Sequence, residues 1–219
     1  NHIQNIRRCQ DELGMLRAEM PRVSPAEFMR FLFSWQHVEP GTQLIGPEGL
    51  RAVVAQLDGV ELPARAWERD VLPARVERYD PQMLDSLCMT GEVAWARLSS
   101  GPTQVVGATP IAVYLRASRS GRSTSDEPGV RPDLRHTPST DSVRPKPDTT
   151  AAGSVLDHLR TRGASFAAEL ESASGLSEEE VRTALTELVA AGLVSSDRFA
   201  GLRTIIGTRP TTATGRWFA

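Results

Sequence analysis

Lysine is almost absent from this sequence of 219 residues, because Lys146 is the only lysine and the other basic residues are arginines. A phosphate-binding loop needs a glycine-rich turn that ends in Gly-Lys-Ser or Gly-Lys-Thr. No such motif occurs, and Lys146 lies in a stretch rich in proline, serine and threonine. No acidic motif for holding Mg²⁺ stands out either. We therefore expect this chain alone neither to bind nor to hydrolyse ATP.

Long apolar runs and patterned cysteines are also missing. No run of about 18 apolar residues occurs, so we expect no membrane-spanning helix. Cys9 and Cys88 stand far apart and form no zinc-ligand pair, which favours a reducing, cytoplasmic location. The first residue is not methionine, and no apolar signal-peptide core follows it. Residue 1 is therefore expected to lie inside a longer chain.

The charge balance is close to neutral. A net charge of −2 and a hydrophobic content of 40% are typical of ordinary globular proteins. This balance argues against a strongly basic nucleic-acid-binding domain, although it permits an auxiliary surface that a separate motor holds on a strand. The preference for arginine reflects either the base composition of the genome or the suitability of guanidinium for phosphate contacts.

Helical periodicity dominates the first half of the chain. Near the end of that half, apolar and polar residues alternate instead. The "EVAWARLS" and "PIAVYLR" segments alternate or are β-branched, which predicts two strands. Residues 1–116 are therefore predicted to form a helical accessory domain with a terminal β element. The predicted helices lie near 3–20, 25–39, 46–59, 63–73 and 81–91.

The second of these helices has the strongest start signals. Ser24 is a cap, Pro25 suits the first turn, and Glu27 completes a capping box. Phe28 and Phe31 recur at helical spacing, which predicts a buried apolar stripe.

The composition changes abruptly after residue 116. Residues 117–150 are rich in serine, threonine, proline and charge, and such a segment buries too little apolar surface to offset its ordering entropy. We predict a disordered linker or insertion there. Residues 151–219 then show three helical segments followed by "LVSSD" and "LRTIIG", which we interpret as two strands. Three helices followed by a hairpin predict a winged-helix domain, and the fold class is α+β, mostly α.

Several phrases together resemble one protein family. They are "SPAEFMRFLFSWQHVEPGT", "WERDVLPARVERYDPQMLDSLCMTGEVAWARL", "ATPIAVYLR", "LRTRGASFAAEL" and "SSDRFAGLR". In this order they resemble the region that follows the motor domains in bacterial Lhr (large helicase-related) superfamily 2 helicases. The resemblance covers residues 12–116 and 151–219. The long insertion between these parts departs from the family pattern.

The resemblance implies what the parent protein does. It implies an ATP-dependent helicase that moves 3′ to 5′ on single-stranded DNA, unwinds duplexes including DNA/RNA hybrids, and acts in DNA repair. The implied partners are single-stranded DNA or a DNA/RNA hybrid and the motor domains of the same chain. ATP and Mg²⁺ would be held by those motor domains, and no cofactor is expected in this region.

Trp35 is the residue with the strongest functional claim, and two interpretations of it remain open. It can continue the core row of its helix, since large aromatic side chains are usually buried. Alternatively, it offers an indole face on which a base stacks. Gln36 and His37 would then supply hydrogen-bond donors and Arg30 a phosphate contact. A catalytic role for His37 has no nucleophile to support it.

The third helix of the winged-helix domain begins with Glu178, Glu179 and Glu180. These acidic groups suit the helix dipole but repel phosphates, so base reading by this helix is not expected. Arg198 and Arg203, placed in the predicted wing, are the better candidates for a backbone contact. Trp67 and Trp95 are predicted to be core, whereas Trp217, close to the expected cut in a longer chain, is predicted to be exposed because of that truncation.

Two other classes of function compete with nucleic-acid binding. The acidic third helix and the net charge favour a protein-interaction or motor-docking module without any nucleic-acid contact. A base-excision glycosylase is the remaining class, because tandem winged helices occur in such enzymes. That enzyme needs a carboxylate or glutamine in a base pocket, and the sequence offers none that can be named.

Overall fold

The computed structural model describes residues 23–99, 105–116, 150–207 and 215–219. Contacts divide the chain into two units, residues 1–42 and residues 43–219. The helix predicted at 3–20 and nearly all of the linker predicted at 117–150 lie outside the described residues. The sequence-based division into 1–116 and 151–219 stays a prediction, and the contact division falls instead between Thr42 and Gln43.

The described part of the first unit contains helix α1, Pro25–Trp35. The Ser24 hydroxyl accepts from the Glu27 N–H at 3.2 Å, and the Glu27 carboxylate accepts from the Ser24 N–H at 2.7 Å. This is the predicted capping box. The predicted burial of its apolar stripe is wrong, because no residue of α1 is buried.

The second unit begins with a winged helix that the sequence analysis did not recognise. Along the chain, its elements are a helix, a strand, two helical segments and then two strands. The three strands pair antiparallel in the order β2-β5-β4, which places the last strand of the hairpin in the centre. The elements are α2 (Gly46–Gln56), β2 (Glu61–Pro63), α3 (Ala64–Ala66), a π-helical turn (Trp67–Val71), α4 (Leu72–Arg75), α5 (Pro81–Met89), β4 (Val93–Ala96) and β5 (Pro110–Leu115).

Two further short strands pair in parallel: β1 (Leu44–Ile45) precedes α2, and β3 (Val76–Glu77) lies between α4 and α5. The π-helical turn explains why Pro73 does not end the helix as predicted. The Leu72 N–H donates to the Trp67 carbonyl, five residues back, so the turn is widened before the proline ring. The helical path then continues to Arg75.

The second winged helix follows from Thr150 and repeats this topology. Trp217 pairs with Ser165 on one side and with Ser196 on the other, so the last strand is again central. The predicted order of three helices is confirmed. The elements are α6 (Thr150–Arg162), α7 (Ala167–Ser174), α8 (Glu178–Ala190), β6 (Ser195–Ser196), α9 (Phe199–Ile205) and β7 (Trp217–Phe218).

The predicted hairpin partner "LRTIIG" is wrong, because this segment lies in helix α9. Phe199, Leu202 and Arg203 stand at helical spacing and are all buried. Burial of this face outweighs the β-propensity of Thr204, Ile205 and Ile206, because propensity is a weak preference that tertiary packing overrides. The strand partner of β6 is β7 instead.

The two winged helices share one apolar core. Trp95 of β4 packs edge-on against Phe199 and Trp217, with ring centroids 6.2 and 6.4 Å apart. The Trp95 indole N–H also donates to the Arg198 carbonyl at 3.1 Å. Trp67 and Trp95 are buried, as predicted, but the prediction that Trp217 is exposed is wrong.

Two backbone contacts tighten the same junction. The Arg97 guanidinium donates to the Ala190 carbonyl at 3.0 Å. Gly192 has a φ of +67°, and a Cβ there would lie 2.8 Å from the Arg97 carbonyl oxygen. Only glycine therefore allows this approach without strain. The α+β, mainly helical fold class is confirmed.

Candidate nucleic-acid interface

Helix α1 carries a row of exposed aromatic side chains. Phe28, Phe31 and Trp35 are 50%, 57% and 53% exposed. Their spacing of three and four residues places them on one face of the helix. The ring centroids are 6.5 Å apart for Phe28 and Phe31, and 6.4 Å for Phe31 and Trp35. The planes of each pair are inclined by only 26° and 11°. We call these three side chains the aromatic row.

The polar residues after Trp35 end the helix. His37 has a φ of +57° and occupies the left-handed position after the C-cap residue Gln36. The His37 N–H donates to the Ser34 carbonyl, and the Val38 N–H donates to the Phe33 carbonyl. This bond pattern is a Schellman motif. His37 Nδ1 also lies 2.9 Å from the Thr42 carbonyl oxygen.

His37 and Gln36 therefore have a structural role that the sequence analysis did not assign. Both side chains are half-buried, and the Gln36 N–H donates to the Leu32 carbonyl at 2.8 Å. The His37 ring bonds to the loop that leads to Thr42, which fixes the exit of the chain from α1. The structure thus places both residues beside Trp35, at the end of the aromatic row.

Arg30 is the basic residue of α1 and is exposed. The acidic residue of the same helix is Glu27, whose carboxylate is engaged by Ser24. Hydrogen bonds from the Ser24 backbone and then from its side chain hold the pKa of Glu27 below the ordinary value. The Arg30 guanidinium is therefore exposed, whereas the Glu27 carboxylate on the same helix is held in the helix cap.

The third helix of each winged helix does not present a basic face. Helix α5 has Asp85 as its charged residue, and α8 begins with three glutamates. Arg182 on α8 lies 3.5 Å from Glu179 in an exposed ion pair. A helix that reads the major groove needs groups that favour phosphates and base edges. The charge on α5 and α8 therefore disfavours this mode of duplex binding.

Arg203 requires a correction to the site prediction. It was placed in a wing as a contact to a nucleic-acid backbone, but it is 5% exposed and lies on α9. Its guanidinium donates to Glu68 at 2.7 Å and to Asp85 at 2.8 Å. The misassigned strand explains the error, because a helix turns this side chain into the junction between the two winged helices.

Arg198 lies at the entrance to α9 and is half-buried. It lines a groove of about 870 Å³ together with Phe166, Val181 and Trp217. Charges of both signs surround this groove, since Arg182 and Arg216 face Glu171, Glu178 and Asp197 along its lining. Arg216 and Asp197 form an ion pair at 2.9 Å. Arg198 is thus separated along the chain from the aromatic row, and the contact predicted for it stays a prediction.

Sequence reasoning missed two features of this region. It assigned Phe28 and Phe31 to a core stripe, because amphipathic spacing alone does not show what covers a helix. It also overlooked the first winged helix. The short "VEL" segment before Pro63 was the available signal, since it supplies the strand that pairs with β5.

Within the described ranges, no helix is long and apolar enough to cross a membrane. The same residues contain no group of three or more histidine, cysteine, aspartate or glutamate side chains that could hold a metal ion.

Two successive helical units, each closed by a three-stranded arrangement with its last strand in the centre, define a tandem winged-helix protein. Residues 23–116 match the winged-helix domain family of the large helicase-related protein. The predicted resemblance of the chain to Lhr helicases is confirmed. The match covers the part of the chain for which the sequence analysis predicted a helical accessory domain with a terminal β element.

Two relatives extend the similarity. "Lhr helicase/ probable uracil glycosylase" of Mycolicibacterium smegmatis (strain ATCC 700084 / mc(2)155) is 35% identical over 196 residues, or 89% of this chain. "Lhr helicase/uracil glycosylase" of Escherichia coli (strain K12) is 51% identical over 51 residues, or 23% of this chain. The matched parts make up 12% and 3% of the lengths of these relatives.

Proposed function

We propose that this chain is a nucleic-acid-binding accessory module of an Lhr-type, ATP-dependent 3′–5′ DNA helicase that acts in DNA repair. The observation that carries the proposal is the exposure of Trp35 at the end of the aromatic row. An exposed indole face can stack on a base of either DNA or RNA, because every base has a π-face. The similarity to proteins named Lhr helicase supports the motor as the neighbour of this module.

The proposed mechanism is a clamp on a single strand. Trp35 stacks on a base, while Arg30 contacts a phosphate. His37 and Gln36 hold the end of α1, and they position Trp35 rather than bind the base. The acidic charge on α5 and α8 favours a single strand over a duplex read through its major groove. ATP and Mg²⁺ bind to the motor domains in this proposal, and the strand moves past the module as ATP is hydrolysed.

The test is Trp35→Ala in the full-length helicase, with Phe33→Ala as the matched control. Phe33 lies on the same helix and is 47% exposed, but it stands outside the aromatic row. We expect Trp35→Ala to reduce strand unwinding and to weaken the dependence of ATP hydrolysis on DNA, while Phe33→Ala leaves both close to wild type. Wild-type values of both activities for Trp35→Ala would overturn the proposal.

A second candidate is a motor-docking module without direct nucleic-acid contact. It is favoured by the net charge of −2 and the acidic start of α8, and by the packing of the wing helix α9 against α5 of the same chain. A fluorescence titration of the 219-residue chain with a single-stranded oligonucleotide at low salt separates the two candidates. Binding that weakens with added salt supports the clamp, because phosphate contacts release counterions. Absence of binding by both this chain and the motor-linked protein supports docking.

A further inference from the structure

We propose that the aromatic row binds three consecutive nucleotides of a single strand, with one base on each of Phe28, Phe31 and Trp35. This inference rests on the proposed function, and it adds the size and the register of the binding site. The strand contact then extends beyond Trp35 to Phe28 and Phe31, which the sequence analysis had assigned to the core. The row begins in the first turn of α1 and ends at Trp35, the last residue of the helix.

The geometry of the rings permits stacking with bases. Consecutive rings are separated by nearly equal centroid distances, 6.5 and 6.4 Å, and their planes are close to parallel. Successive bases of a stacked strand are only about 3.4 Å apart, so a strand that places one base on each ring must be extended, with its bases unstacked from one another. Offset-stacked rings at these distances also result from packing alone, so the choice of a strand over an apolar protein partner rests on the charge of α1.

The charges on α1 complement a polyanion. Arg30 is exposed and forms no ion pair with any residue that the structure describes, so its guanidinium is available for a phosphate. Glu27 is held in the capping box, where it faces the positive end of the helix dipole. Stacking combined with one phosphate contact tolerates many sequences, since neither reads base edges. The row should therefore bind single strands with weak sequence preference.

Phe33 provides an internal control for the row. It lies two residues from both Phe31 and Trp35, which turns it about 200° around the helix from each of them. Its side chain is an aromatic ring of the same type as those of Phe28 and Phe31, and its exposure is similar. Loss of Phe33 therefore removes as much exposed apolar surface as loss of Phe31, but on the opposite side of α1.

Trp35 also provides the signal for the measurement. The chain has four tryptophans, and Trp67, Trp95 and Trp217 are buried. Quenching of the exposed indole by an added strand therefore reports on the row itself. The titrations use the 219-residue chain and an oligothymidylate at fixed salt. They are repeated with strands in which one, two or three adjacent nucleotides are abasic.

We expect Phe28→Ala and Phe31→Ala each to weaken binding by about 5- to 150-fold, the range that loss of one stacked base produces. Phe33→Ala should change affinity by less than about twofold, because surface substitutions outside a contact have small effects. Phe31→Leu should weaken binding like Phe31→Ala, since leucine keeps apolar volume and helix propensity but lacks a ring plane. Three adjacent abasic nucleotides should remove most of the affinity of the wild-type chain.

The outcomes separate this inference from the proposed function. If Trp35→Ala abolishes binding while Phe28→Ala and Phe31→Ala behave like Phe33→Ala, the clamp stands and the three-base row is overturned. If Phe33→Ala weakens binding as much as the row variants, α1 acts as a general apolar surface, as a protein-docking helix would, and the row is overturned. If the wild-type chain and the motor-linked protein bind no strand, both the three-base row and the proposed function are overturned. Far-UV circular dichroism confirms that each variant keeps its helices.

Discussion

At the scale of single residues, Arg203 shows how one basic side chain joins two domains. Its guanidinium contacts carboxylates from two different segments of the first winged helix, Glu68 and Asp85, and also donates to the Pro81 carbonyl. Burial tends to lower the pKa of Arg203, but the hydrogen bonds and charges of Glu68 and Asp85 outweigh it and raise the pKa above its ordinary value. Arg203 therefore stays charged at neutral pH.

Replacing Arg203 with methionine should destabilise the protein strongly. Methionine keeps most of the apolar stem, but it leaves Glu68 and Asp85 without their cation at a nearly buried site. Breaking such a pair from one side costs about 3–5 kcal/mol, and the partial exposure of both carboxylates favours the lower value. Urea denaturation measures the free energy of unfolding.

Arg182→Met is the matched control for Arg203→Met, because Arg182 pairs with Glu179 on the surface. Exposed pairs contribute little, so its effect should stay within about 0.5 kcal/mol. Equal losses of stability in the two variants would contradict the assignment of Arg203 to a structural role.

Cys88 should be chemically inert while the protein is folded. Its thiol is 2% exposed in α5, and burial is the main cause that raises its pKa to about 12. A thiolate is the reactive form, so its population at pH 8 is very small. In a Cys9→Ser background, a chromogenic disulfide reagent should label Cys88 only after denaturant is added. Rapid labelling without denaturant would show that the thiol is accessible.

The raised pKa of Cys88 also predicts a loss of stability at alkaline pH. The folded pKa lies above the unfolded value of about 8.5, so the contribution of the neutral thiol is complete below that pH. It is lost progressively as pH rises from there toward 12. The free energy of unfolding should therefore fall over this window, and less steeply in Cys88→Ala. Identical pH profiles for the two proteins would contradict the burial of this thiol.

At the scale of elements, helix α9 shows the limit of local sequence patterns. The segment "LRTII" contains β-branched residues that favour a strand, yet its inward positions follow helical spacing. The element forms as a helix because it packs against α5, whose Asp85 lies 115 residues before Ala200 in the sequence. No local pattern reveals this partner. The capped helices α1, α5 and α8 were predicted well, since their start signals lie within a few residues of each other.

The candidate site likewise has some features that local sequence patterns predict and others that depend on tertiary packing. Trp35, Arg30 and their position on one helix follow from spacing and caps, so sequence reasoning located them. The exposure of Phe28 and Phe31 depends on what covers α1, and the burial of Arg203 depends on a helix that was interpreted as a strand. Both are tertiary properties, which is why the sequence alone left Trp35 undecided and assigned Arg203 to the wrong surface.

The close packing of α9 can be tested by adding one methyl group. A Cβ on Gly201 would lie 2.5 Å from the Ser196 hydroxyl oxygen and 3.0 Å from the Trp217 ring. Alanine is the better helix former by about 1 kcal/mol, so propensity alone predicts that Gly201→Ala stabilises the protein. We expect the opposite sign, with a loss of about 1–3 kcal/mol from overpacking. Thermal unfolding followed by circular dichroism measures the change.

Gly153 is the matched control, because it also lies inside a helix, α6, and a Cβ there would meet no atom within 4 Å. Gly153→Ala should stabilise the protein by about 0.5–1 kcal/mol. If Gly201→Ala stabilised the protein as much as Gly153→Ala, the close approach of α9 to β7 would be wrong.

At the scale of the whole molecule, residues 43–219 should unfold as one cooperative unit. The two winged helices share the Trp95–Phe199–Trp217 cluster and the buried ion pairs of Arg203. Residues in one core and one hydrogen-bond network couple energetically. A substitution deep in the second winged helix should therefore also destabilise the first.

The variant Leu188→Ala tests this coupling, because Leu188 is buried in α8 and its truncation should cost about 2–5 kcal/mol. Amide hydrogen exchange should show lower protection in α2 and β5 of the first winged helix as well as in α8. A calorimetric enthalpy equal to the van't Hoff enthalpy would report a single transition. Two separated transitions, or loss of protection confined to residues 150–219, would contradict the shared core.

The central place of β7 has a consequence for synthesis of the protein. Trp217 pairs with Ser165 and Ser196 and also packs against Trp95, so three distant segments meet on a strand near residue 219. A ribosome releases the chain from its N-terminal side, and domains generally fold in that order. The first winged helix is thus complete before Trp217 has been synthesised and can pack against the indole of Trp95. Until Trp217 leaves the ribosome, nascent chains carry an uncovered apolar face that chaperones are suited to protect.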